Sequence, residues 1–279
     1  MSATISVESW SGKDRADENF PVGSALIAKA LRPHVHAFYA FARNADDIAD
    51  SPLLTPQDKI ARLDVMEAVL LGTRDAGSPS ALALRASLAE TGVTSRHSTD
   101  LLIAFRRDAT KTRYADWEEL LDYCRFSAMP VGRHVLDLHG EESAAVYPPS
   151  DALCAALQVL NHLQDCAKDL AALDRCYLPQ DLLTANASSV DDLRGAAETP
   201  GLRRVFLALL DRTESLCATA GNLPRRTRDR RLRLEIAVIV GLANRLAARL
   251  RRGDPLATRV KLTKADAASS VLAALRFLP

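Results

Sequence analysis

The sequence predicts an all-α protein built as one large helical bundle. Apolar residues recur at helical spacing along almost the whole chain, period-2 alternation and Asn-Gly or Asp-Gly hairpin signals are absent, and helix start and stop residues punctuate the periodic segments. In chain order, the first strong helix is read over 33–50. Thr55 before Pro56, with Asp58 following, opens the next, and Gly72 and Gly92 mark stops. Asp116 with Glu119 three residues later opens a helix over 116–139, with Pro130 expected to kink it and Gly140 to end it. A long helix follows over 150–174, then an irregular insert over 175–199. Thr199 before Pro200 starts a helix over 200–221 ending at Gly221, another spans 225–252 before Gly253, and Thr263 with Asp266 opens the last. Eight to ten helices result. No repeat, low-complexity segment or linker interrupts them, so residues 1–279 are read as one domain, with 1–18 a poorly ordered N-terminal segment.

Composition narrows the function. A chain of 279 residues that is 48% hydrophobic can bury a substantial core. Thirty-six basic and thirty-five acidic residues leave a net charge of +1, so no global field draws the protein to nucleic acid. Cys124, Cys154, Cys166, Cys176 and Cys217 form no C-x-x-C pair and read as buried thiols of a reducing compartment. The polar N-terminus lacks the apolar stretch of a signal peptide. The longest apolar run, at 236–243, falls far short of the roughly 20 residues that span a bilayer. A cytoplasmic protein is expected, peripheral to the inner membrane at most.

The segment FARNADDIADS (41–51) raises the functional question, because it sets three aspartates on an otherwise apolar helix. Asp46 and Asp50 share a face with Tyr39 and Arg43, while Val35, Phe38, Ala42, Ala45 and Ala49 occupy the other side. Taken alone, such a pair is ordinarily a solvated face. A second helix repeats the pattern: Asp165 and Asp169 are four apart, with Asn161 one turn earlier, among Leu153, Leu157, Leu160, Leu163 and Cys166. Two such helices facing each other gather four carboxylates and a carboxamide around one space, which is costly unless a hard cation balances them. Mg²⁺ suits this set, since it binds through a few carboxylates and takes remaining ligands from water and substrate phosphates. A diphosphate substrate is therefore expected. No Glu-x-x-His pair supports a di-iron site, zinc-type Cys/His clustering is absent, and no phosphate-cradling glycine loop of the nucleotide-binding type occurs.

YAFARNADDIAD (39–50), DATKTRY (108–114), YCRFSAMPVG (123–132) and NHLQDCAKDLAALDRCYLP (161–179) resemble, in order and spacing, the motifs of the head-to-head isoprenyl diphosphate synthases. The similarity covers about residues 19–250. ENFPVGS (18–24), FARNADDIADS and YCRFSAMPVGR point within that family to the bacterial hydroxysqualene-forming branch. The resemblance implies an isoprenoid-synthase bundle with a central cavity and a Mg²⁺-dependent enzyme that converts presqualene diphosphate and water to hydroxysqualene and diphosphate in hopanoid-linked squalene formation. It also implies hand-over with upstream and downstream enzymes of that pathway. A head-to-head condensing synthase is the alternative, and a non-catalytic helical assembly protein a more distant one.

The resemblance further implies metal binding by Asp46, Asp50, Asn161, Asp165 and Asp169, and a polar cavity lining from Tyr39, Arg43, Tyr123 and Tyr177. Asp47, turned about 100° from Asp46, either binds metal through water or holds Arg43. Arg43 and Lys168 are expected to supply positive charge to the substrate, Arg113 to fix the substrate-binding cavity, Tyr39, Phe41, Tyr123 and Phe126 to wall it, and Ser127 to hold a water. The chain departs from the family in three places. Asp17, Glu18, Asn19 and Phe20 replace a Ser-rich diphosphate-binding segment, Ser127–Gly132 replaces a V-A-G-x-V-G run, and Gln164 stands where several relatives have arginine. The six histidines and the basic run at 225–233 read as surface or core residues.

Overall fold

A computed structural model describes residues 6–8 and 26–277, and these form a bundle of α-helices with no named strand among them. ENFPVGS, Trp10 and most of the N-terminal segment lie outside the described residues. In order the helices are α1 (Arg32–Asp50), α2 (Pro56–Leu70), α3 (Pro79–Thr91), α4 (Arg96–Asp108), α5 (Trp117–Ser127), α6 (Met129–Leu138), α7 (Ser143–Leu173), α8 (Gln180–Ala185), α9 (Pro200–Ala220), α10 (Leu223–Arg226), α11 (Arg230–Leu250) and α12 (Lys264–Ala274).

The capping residues read from the sequence make the expected bonds. Thr55 accepts from the Asp58 amide at 3.2 Å, Asp116 from Glu119 at 2.9 Å, and Thr199 from Leu202 at 3.1 Å. Thr263 and Asp266 form a reciprocal capping box at α12. Gly72, Gly92 and Gly140 end their helices with φ of 79°, 71° and 68°, a left-handed conformation that glycine adopts without strain.

Three boundaries differ from the sequence reading. The 116–139 segment is two helices, because Ala128 (φ −126°, ψ −46°) leaves helical geometry and Pro130 starts α6 where its missing N–H costs nothing. The 225–252 segment also divides: Asp229 caps α11 by accepting from Leu232 at 2.8 Å after the one-turn α10. Conversely, α7 begins at Ser143 rather than near 150, with Pro148 and Pro149 inside its first two turns. The 175–199 insert contains α8 and a 3-10 turn at Val190–Arg194.

Two hydrophobic clusters hold the bundle. One gathers α1 to α4 around Phe41, Ile48, Leu63, Met66 and Leu102. The other surrounds α7, which packs against α5, α6, α9, α10 and α11 through Leu153, Val159, Leu160 and Leu163. The five cysteines are free thiols, and all but Cys154 are buried. No described helix is long and apolar enough to cross a membrane.

Candidate active site

The polar stripe of α1 opens onto a cavity of about 440 Å³. Tyr39, Arg43 and Asp46 line it from α1, and Asn161 from α7. Most of its remaining wall is apolar, with Phe38, Phe105, Leu153, Leu157 and Ile236 among the lining residues. Arg43 bridges both neighbouring acids, reaching Asp46 at 3.0 Å and Asp47 at 2.5 Å. Asp47 is buried and spends its Oδ1 on two Arg43 nitrogens. Of the two roles open to Asp47, the geometry supports holding Arg43.

The far end of α1 is tied to the segment after α7. Asp174 takes a left-handed φ of 51° at the α7 C-cap and turns the chain so that Arg175 points back into the protein. Arg175 donates to Asp50 Oδ1 at 2.6 Å and to the Asp108 carbonyl at 2.9 Å. The Asp108 carboxylate in turn accepts from the Tyr123 hydroxyl at 2.8 Å. Arg113 braces the same turn, donating to the Asp174 carboxylate at 2.8 Å and to its carbonyl. A second recess of about 510 Å³ is lined by Asp50, Lys59, Asp108, Arg175 and Arg194.

Negative charge is crowded here. Burial first, then the charge of Asp50, pushes the Asp46 carboxyl up to about 7 against the opposing pull of Arg43. Burial, then Asp165, does the same to Asp169, and Asp50 on α1 adds to that shift, which places the two aspartate helices within electrostatic reach of each other. Asp108 also rises to about 7 through burial, with Arg175 opposing. Such crowding is relieved by a proton or by a further cation. Among the described residues no three His, Cys, Asp or Glu side chains form a closed metal cage. An incomplete carboxylate set on two helices fits an ion that binds through one or two carboxylates and completes its shell with water and phosphate oxygens, which is the habit of Mg²⁺.

Several expected residues stand elsewhere. Phe41 is completely buried in the α1–α4 cluster, because it lies on the face of α1 opposite the aspartates. Phe126 packs at the edge of the other cluster with the Arg107 guanidinium 4.6 Å from its ring centre. Tyr123 and Tyr177 are buried in an aromatic group with Tyr114 and His162, where Tyr177 stacks on His162 at 3.4 Å between centroids. Burial raises both tyrosine pKa values, so each hydroxyl stays protonated, and that of Tyr123 donates to Asp108. Arg113 holds the α7 cap, Lys168 is exposed beside Asp169, and Ser127 sits at the end of α5, its Oγ buried without a hydrogen-bond partner among the described residues. None of these seven lines the main cavity. Gln164 turns away from it as well, donating to the Val260 carbonyl at 2.7 Å.

Three residues escaped the sequence reading. Asp108 and Arg175 lie inside quoted motifs, and no local pattern marks them, since Arg106 and Arg107 precede Asp108 and Asp174 precedes Arg175. Glu235 lines the cavity from α11 although only 5% exposed, and it is the one acid in the apolar run LEIAVIVGLA (234–243).

A sequence model of squalene/phytoene synthase matches residues 13–266. Hydroxysqualene synthase of Rhodopseudomonas palustris is 49% identical, covering 93% of this chain and 88% of that protein. Hydroxysqualene synthase of Sinorhizobium fredii is 47% identical, covering 88% and 84%. Among solved structures, a squalene synthase from Alicyclobacillus acidocaldarius superposes with a TM-score of 0.75 at 34% identity, covering 85% of this chain and 90% of that one. A dehydrosqualene synthase, at 21% identity and a TM-score of 0.80, shares the fold.

Proposed function

Because the chain belongs to the squalene/phytoene synthase family, we propose that it is a hydroxysqualene synthase, converting presqualene diphosphate and water to hydroxysqualene and diphosphate with Mg²⁺. The observation that carries this reading is the polarity of the cavity: Arg43, Asp46 and Asn161 line a chamber whose wall is otherwise mainly apolar. A lipid diphosphate has that same division.

Asp46, Asp50, Asn161, Asp165 and Asp169 would hold Mg²⁺, which when bound supplies the positive charge that a departing diphosphate needs. The chain's own residues do the rest. Arg43, fixed between Asp46 and Asp47, presents an immobile guanidinium to the diphosphate without reorganising as charge develops. Arg175, held by Asp50 and the Asp108 carbonyl, keeps the end of α1 in register with the end of α7. Phe38, Tyr39 and Phe105 present aromatic surface to the C30 cation, while the aliphatic wall limits the water that reaches it.

The lipid must also enter and leave. Val271, Leu272 and Leu275 on and after α12 are 51%, 70% and 47% exposed, which supports peripheral contact with a bilayer and hand-over to neighbouring enzymes of hopanoid-linked squalene formation. The deciding experiment is incubation with Mg²⁺ and either presqualene diphosphate or farnesyl diphosphate, followed by mass spectrometry. Hydroxysqualene from presqualene diphosphate alone is expected; coupling of farnesyl diphosphate would identify a condensing synthase instead.

A further inference from the structure

Among the described residues, two acids line the cavity, Asp46 and Glu235, and they serve different ends of it. Asn161, which marks the diphosphate end, and Ser150, another lining residue, lie on the same helix roughly 16 Å apart along its axis. The starts of α7 and α11 are fastened together, since the Glu141 carboxylate accepts from the Arg228 and Asp229 amides, each at 2.8 Å. Glu235 follows Asp229 by about 9 Å of helix, so it faces the cavity at the Ser150 end.

That position is an unusual one for a carboxyl group. Leu232, Ile236 and Ile239, its neighbours on α11, line the same cavity, and Leu223 joins them from α10. The helix neighbours of Glu235 along the cavity are leucine and isoleucine, so hydrophobic packing against the chamber does not by itself select a carboxyl group at this position. A charged or hydrogen-bonding group in that wall also gives one water a place to stay inside a chamber that otherwise repels it.

We propose that Glu235 is the catalytic base of water capture. It accepts a hydrogen bond from a single water at the apolar end of the cavity and takes the proton as that water adds to the C30 cation. The diphosphate has left with the electron pair of its C–O bond. The water oxygen donates a lone pair to the cationic carbon, forming the new C–O bond. One O–H bond then breaks, its electrons remaining on oxygen, and the proton passes to the Glu235 carboxylate and later to solvent. No oxidant or reductant is required. Ser150 is placed to share in holding the water.

The inference rests on the proposed water capture and is tested through product partition. Wild-type and Glu235→Gln protein are given presqualene diphosphate and Mg²⁺, and diphosphate release is measured beside the alcohol and hydrocarbon products. Glu235→Gln is expected to release diphosphate within about threefold of wild type while its alcohol-to-hydrocarbon ratio falls at least about tenfold. An unchanged ratio at retained diphosphate release overturns the assignment. If Glu235→Gln loses its helical circular dichroism, Glu235→Asp decides: an alcohol share lowered about threefold or more supports the proposal, and an unchanged share overturns it. Failure of the wild type to release diphosphate at all would instead refute the functional reading.

Discussion

Arg175 donates to Asp50 at 2.6 Å across 125 residues of sequence, joining the end of the first aspartate helix to the turn that ends the second. The same guanidinium reaches the carbonyls of Ala49 and Asp108. One side chain therefore ties the ends of the two aspartate stripes together.

Arg175→Gln should remove this tie and leave the buried Asp108 carboxylate without its main compensating charge. Breaking a buried ion pair from one side typically costs about 3–5 kcal/mol. Urea unfolding is expected to show a loss of that order together with at least a hundredfold drop in diphosphate release, about 2.7 kcal/mol of barrier. A variant as stable and active as wild type would contradict the role given to Arg175.

Asp46→Ala and Asp165→Ala should each abolish diphosphate release and leave helical circular dichroism nearly intact, because these side chains contribute charge rather than packing. EDTA should stop the wild-type reaction, and added Mg²⁺ should restore it. Turnover in EDTA would refute the metal requirement.

The metal-free protein should become less stable as pH rises through the titration of Asp169. Its folded-state carboxyl lies near 7 against an ordinary 3.8, so the folded state holds this proton more tightly than the unfolded chain does. Stability associated with Asp169 is full below about pH 3.8 and is lost as pH rises to about 7. Asp169→Asn should thus exceed wild type by about 1 kcal/mol at pH 8 in EDTA, allowing for screening, and match it near pH 3.5. Equal stability of the two proteins at pH 8 would contradict the crowding of charge described here.

His134 gives the opposite dependence. It is buried, stacks on Phe38 at 3.8 Å, and is pushed down to about 3 by burial and then by His97. Asp137, which accepts from His97 at 2.8 Å, and His34 are the other charged or titratable groups acting on it. A depressed histidine contributes stability that is present above pH 6.5 and is lost as pH falls toward 3. Replacement by phenylalanine should narrow the difference in melting temperature between pH 7 and pH 4.5; an unchanged difference would remove His134 as a source of acid lability.

Gly132→Ala tests how closely α6 and α7 must approach. A Cβ there would lie 2.5 Å from Ser150 Oγ and 2.7 Å from Cys154 Sγ, and all three residues line the cavity. The clash should cost about 1–3 kcal/mol and lower activity by narrowing the chamber. Unfolding and turnover indistinguishable from wild type would show that the helices separate freely.

The fold and half of the site were legible for the same reason: both are local. Thr55, Asp116, Thr199 and Thr263 announce helix starts through bonds made within three residues, and Tyr39, Arg43 and Asp46 share a face because helical periodicity puts them there. Phe41 was misplaced because its motif contains both faces of α1, and Tyr123 because its hydroxyl turns to Asp108. Arg175 and Glu235 act through tertiary geometry, the first through a left-handed turn at Asp174 and the second through the fastening of α11 beside α7. Periodicity carries neither.

The central claim is that the cation formed in this cavity is captured by water. Incubation of the protein with presqualene diphosphate and Mg²⁺ in ¹⁸O-labelled water, without any nicotinamide cofactor, tests it directly by mass spectrometry of the product. The account predicts hydroxysqualene carrying one labelled oxygen from solvent. An unlabelled alcohol, or squalene appearing only when NADPH is supplied, would contradict it.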